Sequence, residues 1–189
     1  MPFPFARLAA GLSVAAVAMP WLYRRMRRTI LSRYRGNRGI KVDAAVTVNE
    51  TPERLYRFWR QVENLPHVMS HLKSVQAQGP RRSRWTVALP AGTTLAWDAE
   101  IINDVPNTLI AWQAVAGSPV DHAGSVHFDP TASGGTVVRV SLQYDPPAGE
   151  LGHALAALFG EDARSTIEED LRTFKRSMER GALADPVSW

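Results

Sequence analysis

The stretch that decides the fold is Ser83–Asn103, SRWTVALPAGTTLAWDAEIIN. Apolar side chains occupy alternate positions in each of its halves: Trp85, Val87 and Leu89, then Trp97 and Ile101. Alternation with a period of two residues is typical of a β-strand with one buried face. Pro90-Ala91-Gly92 lies between the halves and has the residue types of a tight turn. The stretch therefore predicts a β-hairpin with tryptophans on its buried face.

Similar strands lie on both sides of this hairpin. A first strand is predicted at Ile40–Val48, and turn residues rich in Gly, Pro and Asn separate six more: Leu72–Gln78, Ser83–Leu89, Leu95–Asn103, Thr108–Ala116, Ala123–Asp129 and Thr136–Tyr144. Connections this short join antiparallel strands, because a parallel crossover needs a dozen or more residues. The sequence predicts a seven-stranded antiparallel sheet.

Three helical segments complete the pattern. Thr51 and Pro52 are cap and first-turn residues for a helix that ends near Arg60, and a second short helix begins at Glu63. A long C-terminal helix is predicted between residues 149 and 181, with one apolar stripe: Ala163, Ile167, Leu171, Phe174 and Met178. One helix is then available to cover the sheet, so we expect an α+β fold in which the sheet curls around the helix and leaves a cavity.

The composition excludes several classes of protein to which this chain could otherwise belong. The chain has 189 residues, of which 45% are hydrophobic and 21% charged, as in a globular protein. It contains no cysteine, which excludes disulfides, a thiol nucleophile and a Cys-type zinc site. No serine-nucleophile elbow or phosphate-binding glycine loop is present.

The charge is unevenly distributed. Residues 1–42 hold nine basic residues and no acidic residue. Because the chain has 22 basic and 18 acidic residues in all, the remainder holds 13 basic and 18 acidic side chains, a net charge of −5. Nucleic acid is therefore not an expected partner of the folded domain.

The basic segment follows an apolar one. Leu8–Tyr23 contains no charge, ends in Trp21 and Tyr23, and precedes four arginines: Arg24, Arg25, Arg27 and Arg28. This order is typical of a helix that leaves a bilayer on its cytoplasmic side, although sixteen residues give only about 24 Å of helix. A cleaved signal peptide, with Ala16-Val17-Ala18 as its cleavage site, and a buried helix are the alternatives. We favour a membrane anchor, spanning or lying on the inner membrane, with the folded domain in the cytoplasm.

The predicted domains follow from these boundaries. Residues 1–39 form the anchor and a basic linker, residues 40–181 form the folded domain, and residues 182–189 form a tail.

This organisation resembles the helix-grip fold of the START/polyketide-cyclase (SRPBCC) superfamily, and most closely the cyclase/dehydrase branch related to coenzyme Q-binding START-type proteins. The resemblance covers about residues 41–180 and rests on these segments: Leu55–Arg60, Glu63–Pro66, Trp97–Ile101, Pro106-Asn107, Ile110–Trp112, Gly124–Val126 with Phe128, Tyr144–Pro147 and Phe159-Gly160. It implies a bacterial, membrane-associated protein that binds a hydrophobic molecule of the lipid or prenylquinone class without a cofactor.

Apolar residues on the predicted sheet face and helices are the ligand-binding candidates. They are Phe58, Leu65, Met69, Trp85, Trp97, Phe128, Val140, Leu155, Phe159 and Leu171. In the SRPBCC fold the pocket lies between sheet and helix, so some of these residues would line it and the others would form the core.

Catalytic candidates are few. Asp98 and Glu100 share one strand face, and paired carboxylates can divide acid and base roles. Strand alternation favours placing both on a solvated face instead, with Trp97 turned inward. His67 and His71 have helical spacing, but no third ligand accompanies them, so no metal is predicted.

Three functions remain open on the sequence. The first is a carrier or binder of a hydrophobic molecule at the membrane. The second is a cyclase or dehydratase, which would need Asp98, Glu100, Tyr144 or a histidine inside the cavity. The third is a membrane-tethered interaction scaffold, in which tryptophan side chains fill the pocket.

Overall fold

The computed structural model describes residues 40–89, 92–145, 149, 152 and 163–181. Seven antiparallel strands form one sheet: β1 (Ile40–Val48), β2 (Leu72–Ala77), β3 (Arg82–Ala88), β4 (Thr94–Val105), β5 (Leu109–Ala114), β6 (Asp121–Pro130) and β7 (Thr136–Asp145). Their order across the sheet is β1-β7-β6-β5-β4-β3-β2. Each strand from β2 to β7 thus pairs with its neighbours in sequence, as the short connections predicted, and β1 closes onto β7.

The helices lie within the predicted segments, but the C-terminal helix begins at Ala163 and not near residue 149, and residues 150, 151 and 153–162 of that prediction lie outside the described ranges. Helix α1 (Pro52–Arg60) begins after Thr51, whose Oγ1 accepts a hydrogen bond from the Arg54 backbone N–H at 3.4 Å. A 3-10 helix (Val62–His67) follows, and α2 (Ala163–Glu179) is the C-terminal helix. Helix α2 contacts β1, and α1 contacts β6. The curled antiparallel sheet with its C-terminal helix is the predicted helix-grip fold.

Alternation along the strands decides which face is buried. In β4, Trp97, Ala99 and Ile101 are buried, while Asp98 and Glu100 between them are partly exposed. Aromatic side chains from the helices pack on this inner face, with the Phe58 and Phe174 ring centroids 5.2 Å apart. The inner face is therefore the core of the domain, as the period-two pattern predicted.

One irregularity shapes the middle of the sheet. The pairing of β4 with β5 shifts register between Ile101 and Asn103, which is the signature of a β-bulge. Trp112 of β5 pairs with Ile101 on one side and with Gly124 of β6 on the other. A bulge bends the strand and increases its twist, so it contributes to the curl of the sheet around the inner face.

Several predictions fall on residues outside the described ranges. They are the anchor and linker at residues 1–39, the tail at 182–189, and the ligand-binding candidates Leu155 and Phe159. Within the described ranges, none of the helices combines the length and the apolar character needed to cross a bilayer.

Candidate ligand cavity

A cavity lies on the inner face of the sheet. It contains about 730 Å³ of empty space, a volume that includes the part open to solvent. Eleven of the described residues on its wall are apolar or aromatic: Trp59, Met69, Leu72, Trp85, Val87, Trp97, Trp112, Val120, Val140, Leu142 and Ile167. Three more are polar: His71, His122 and Tyr144. The cavity is thus an apolar container with a small number of hydrogen-bonding groups.

Tryptophans dominate the wall, which carries four of the six in the chain. Trp85 and Trp97 face each other across β3 and β4 as paired residues. The rings of Trp85 and Trp112 stack, with centroids 6.2 Å apart and an interplanar angle of 18°. Flat rings held in this way present π surfaces to anything inside the cavity, and such surfaces suit planar or apolar ligands.

Gly124 determines where the Trp112 ring lies. A Cβ atom on Gly124 would come within 2.4 Å of the Trp112 indole, much closer than van der Waals contact. The absence of a side chain at position 124 therefore allows the indole to lie close against β6. The ring forms part of the wall because this position is open to it.

His122 is buried and uncharged. Trp97 donates its indole N–H to Nε2 of His122, and an indole nitrogen can only donate. His122 Nε2 must then be unprotonated. Burial lowers the pKa of His122 to about 4, and the nearby Asp121 carboxylate opposes this effect only partly. His122 is a neutral hydrogen-bonding group of the wall.

His71 lies beside a buried carboxylate. Its Nδ1 is 2.9 Å from Oδ2 of Asp170 on α2, a contact at ion-pair distance that lacks the angular geometry of a full hydrogen bond. The other carboxylate oxygen of Asp170 accepts from the Ser70 backbone N–H at 3.0 Å and from Ser70 Oγ at 3.2 Å. Asp170 therefore holds Ser70 and His71 against α2 at the edge of the cavity.

Tyr144 is the third polar residue of the wall. It is paired with His122 across β6 and β7, so both side chains project from the same face of the sheet. Burial raises the pKa of the Tyr144 hydroxyl above its usual value, which keeps it protonated and neutral.

A second, smaller cavity adjoins these tryptophans. It contains about 350 Å³ of empty space, again including the part open to solvent, and shares Trp59, Trp85 and Trp112 with the first. Its other wall residues are Val62, Leu65, Ser83, Ile101 and Ile110. The three shared indoles therefore border both spaces.

The predicted ligand-binding residues divide into two groups. Met69, Trp85, Trp97 and Val140 line the larger cavity. Phe58, Phe128 and Leu171 do not, because they are buried in the packed core, and Leu65 borders only the smaller cavity. The alternation of a strand shows which face is buried, but it does not distinguish a residue that packs against a helix from one that borders empty space.

The catalytic candidates Asp98 and Glu100 lie on the opposite face of the sheet. Arg84 Nη1 donates to Asp98 Oδ1 at 3.1 Å, and Gln113 Nε2 donates to Glu100 Oε1 at 2.9 Å. Trp97 points into the cavity, so its neighbours in the strand point away. These carboxylates therefore lie away from the cavity, in the position that strand alternation favoured over a catalytic role.

The two spaced histidines do not share a helix face. His67 ends the 3-10 helix and is exposed, with Nδ1 3.2 Å from the Asn64 carbonyl oxygen, whereas His71 lies beyond the helix on the cavity wall. Among the described residues, no three potential ligands are grouped closely enough to hold a metal ion.

The sequence patterns did not single out His71 and His122 as cavity residues or Asp170 as the partner of His71, although signals for two of these three residues exist. His122 has the same strand parity as the inward-facing Val126. Asp170 lies three residues after Ile167 and four before Phe174, and is therefore an acid within the apolar stripe. His71 lies outside any regular element, so no periodicity could have placed it.

The fold and cavity define a START-like ligand-binding domain, in which a curled sheet and a C-terminal helix enclose an apolar space. Residues 48–172 match the family described as polyketide cyclase / dehydrase and lipid transport, and the chain belongs to this family. The resemblance to the SRPBCC superfamily is confirmed.

Solved structures with the same fold extend this finding. The crystal structure of DR_A0006 from Deinococcus radiodurans is 37% identical, covers 75% of this chain and 98% of its own, and has a TM-score of 0.63. The Zhui aromatase/cyclase from Streptomyces sp. R1128 is 16% identical, with 79% and 99% covered and a TM-score of 0.60. A START superfamily protein from Mycobacterium smegmatis is 15% identical, with 73% and 98% covered and a TM-score of 0.56. The last two are similar in fold alone.

Proposed function

We propose that this protein binds an uncharged hydrophobic small molecule, of the prenylquinone or neutral lipid class, in the larger cavity. The observation that carries the proposal is the wall itself, with eleven apolar or aromatic residues and three polar ones. Burial of apolar ligand surface contributes about 25 cal/mol per Å², so useful affinity requires no charged contact. The tryptophans surround empty space and do not fill it, which speaks against a scaffold with a closed pocket.

The electrostatics of the wall favour a neutral ligand. No lysine or arginine lies on the described part of the wall, and His122 is uncharged. A fatty-acid carboxylate would therefore lose its hydration without gaining a cationic partner from these residues, which is costly in an apolar site. A quinone or a neutral lipid avoids this cost.

The proposal also assigns a role to the predicted membrane anchor within residues 1–39. The apolar segment and the arginines that follow it would hold the domain beside a bilayer, where hydrophobic molecules partition. Delivery to or extraction from the inner membrane is then the proposed role of the anchor.

The test is native mass spectrometry of the full-length protein from a bacterial host, followed by organic extraction, with two matched variants. Val140 is on the cavity wall, and Val137 lies on the same strand with the opposite parity. Val140→Phe is expected to reduce the bound hydrophobic molecule several-fold, and Val137→Phe to leave it unchanged. An empty wild-type protein that also takes up no added naphthoquinone would refute the proposal.

A second function, proton transfer in a cyclase or dehydratase reaction, is favoured by the contact between His71 and Asp170. His71 borders the cavity, and a histidine held beside a carboxylate is an arrangement that general bases use. In this second function, Nε2 of His71 would take a proton from a carbon next to a ligand carbonyl, leaving an enolate and an imidazolium. The imidazolium would then return the proton to the ligand.

Deuterium exchange tests this second function. A small β-diketone is incubated in D₂O with the wild-type protein, His71→Gln or His67→Gln. If His71 is the base, exchange is accelerated by the wild type and by His67→Gln, whose exposed side chain lies four residues earlier, but not by His71→Gln. Equal exchange rates for all three proteins would eliminate this function and leave binding as the conclusion.

A further inference from the structure

One buried hydrogen-bond donor on the cavity wall, the Trp59 indole N–H, has no partner among the described residues. The Trp59 side chain is 3% exposed, and its Nε1 makes no hydrogen bond with any described residue. Two other wall tryptophans are satisfied, because Trp85 Nε1 donates to Ser83 Oγ at 2.9 Å and Trp97 Nε1 donates to His122. Trp59 is thus an exception within a set whose other buried indoles are paired.

An unpaired buried donor is uncommon because it is costly. The large majority of buried side-chain polar atoms in folded proteins have a partner, and leaving one without a partner destabilises the protein by about 1–3 kcal/mol. An indole N–H can only donate, so its missing partner must carry a lone pair. The unpaired group therefore specifies the chemistry of what it would bind.

The position of Trp59 is fixed from several directions. Its ring lies edge-on to Phe174, with centroids 5.9 Å apart and an interplanar angle of 77°. Helix α1 is anchored on both sides of Trp59, because Tyr56 OH donates to Asp104 Oδ1 at 2.6 Å and Arg60 Nε donates to Asp104 Oδ2 at 2.8 Å. The indole has little freedom to find another acceptor within the protein.

Trp59 borders both cavities, so a molecule in either space is within reach of its ring. We propose that the indole N–H of Trp59 donates a hydrogen bond to a carbonyl oxygen of the bound molecule, and that this contact selects carbonyl-bearing ligands over hydrocarbons of the same shape. The inference rests on the proposed binding function and adds the polar contact that would orient the ligand.

A carbonyl fits this donor better than a hydroxyl or a carboxylate. A hydroxyl brings a hydrogen that needs an acceptor of its own, and the Nε2 acceptor of His122 is already occupied by Trp97. A carboxylate brings a charge that the described wall does not neutralise. A ketone or quinone oxygen needs only a donor, and Trp59 supplies one.

The experiment compares two probes of nearly equal shape, 1,4-naphthoquinone and naphthalene, by calorimetry on the full-length protein. Because the chain has no cysteine, the quinone has no thiol to alkylate. The measured quantity is the ratio of the two dissociation constants, which cancels general effects of a substitution on the cavity. We expect Trp59→Phe to reduce the preference for the quinone about tenfold, since one hydrogen bond to a buried donor is lost.

Trp85→Phe is the matched control. It removes a second indole that borders both cavities, but one whose N–H is already bound to Ser83. The ratio is expected to stay within about twofold of the wild-type value in this variant, because the lost N–H is not available to a ligand. A similar fall in both variants would overturn the inference, because it would show an effect of ring size.

A measurement on the unsubstituted protein covers the case in which Trp59→Phe does not fold. The indole ¹H–¹⁵N resonance of Trp59 is expected to move downfield with naphthoquinone relative to the naphthalene complex. If both probes bind without this difference, and the ratio is unchanged by Trp59→Phe, the inference fails while the binding function stands. If neither probe binds the wild-type protein, both fail.

Discussion

Two parts of the inner sheet face carry equally apolar side chains but are filled differently. Beneath the helices, Phe58, Phe128 and Phe174 are 6%, 1% and 1% exposed. Phe58 packs against the Phe174 ring, and Phe128 packs against the Tyr56 ring. Along β3, β4 and β5, Trp85, Trp97 and Trp112 surround empty space. Residue type alone therefore does not decide whether an inner face forms core or cavity.

The difference lies in what holds each ring. The phenylalanines are held by close contact with neighbouring rings on α1 and α2. Trp85 and Trp97 are fixed at their edges by hydrogen bonds to Ser83 and His122. A ring fixed at its edge can keep its face free, and this allows a cavity to persist in a structure that is otherwise closely packed.

The largest expected effect on stability comes from removing a ring of the packed region beneath the helices. Phe174→Ala would remove a 1% exposed ring that contacts Phe58 and Trp59, and we expect a loss of about 3–5 kcal/mol in the free energy of unfolding. Urea titration measures it. A loss below about 1 kcal/mol would show that this region relaxes as easily as the cavity and would remove the contrast.

Lowering the pH is expected to reduce the free energy of unfolding through His122, which lies on the cavity wall. Its pKa is about 4 in the folded protein and about 6.5 in an unfolded chain, so the unfolded state binds the proton more readily. Stability from this group is complete above pH 6.5 and is lost as the pH falls toward 4, by about 3 kcal/mol.

His122→Gln keeps a side chain that can accept from Trp97 but does not titrate. Urea titrations of wild type and variant between pH 7 and pH 4 should therefore show the steeper fall in the wild type. Parallel pH profiles would contradict the assignment of this loss to His122.

Gly124→Ala would change the cavity wall and leave the packed phenylalanines unaltered. The new methyl group would overlap the Trp112 indole and push the ring, and we expect a loss of about 1–3 kcal/mol in stability together with weaker ligand binding. Calorimetric titration with naphthoquinone measures the second effect. Ser125→Ala, next along β6 and of opposite parity, is the control and should leave binding unchanged.

The smallest effects are expected on the outer face. Asp98→Asn and Glu100→Gln alter partly exposed groups whose partners, Arg84 and Gln113, are also outside the cavity. Each is expected to change the free energy of unfolding by less than about 0.5 kcal/mol and to leave ligand affinity unchanged. A tenfold loss of affinity in either variant would mean that the outer face communicates with the cavity.

The strands and helices could be predicted because their signals are local. Alternation in Ile40–Val48 and the cap at Thr51 with Pro52 place β1 and α1 at the observed bounds. Strand ends elsewhere differ by one or two residues, because hydrogen bonding at a strand end depends on the partner strand and not on the segment itself.

The cavity could be predicted only in part, since it depends on packing between distant segments. Met69, Trp85, Trp97 and Val140 were placed on its wall by parity and by the fold. The contact of His71 with Asp170 joins residues about a hundred positions apart, and neither segment alone shows it. The unpaired Trp59 indole is visible only when every nearby acceptor has a position.

The four indoles on the cavity wall also provide an intrinsic fluorescence signal for ligand binding. A quinone bound among four tryptophans lies within contact distance of excited indoles and would quench their fluorescence, whereas a saturated lipid chain would expel water and shift the emission to shorter wavelength. The other two tryptophans, Trp21 and Trp189, give a background outside the described residues. The colour and intensity of the emitted light would therefore distinguish the two ligand classes without any label.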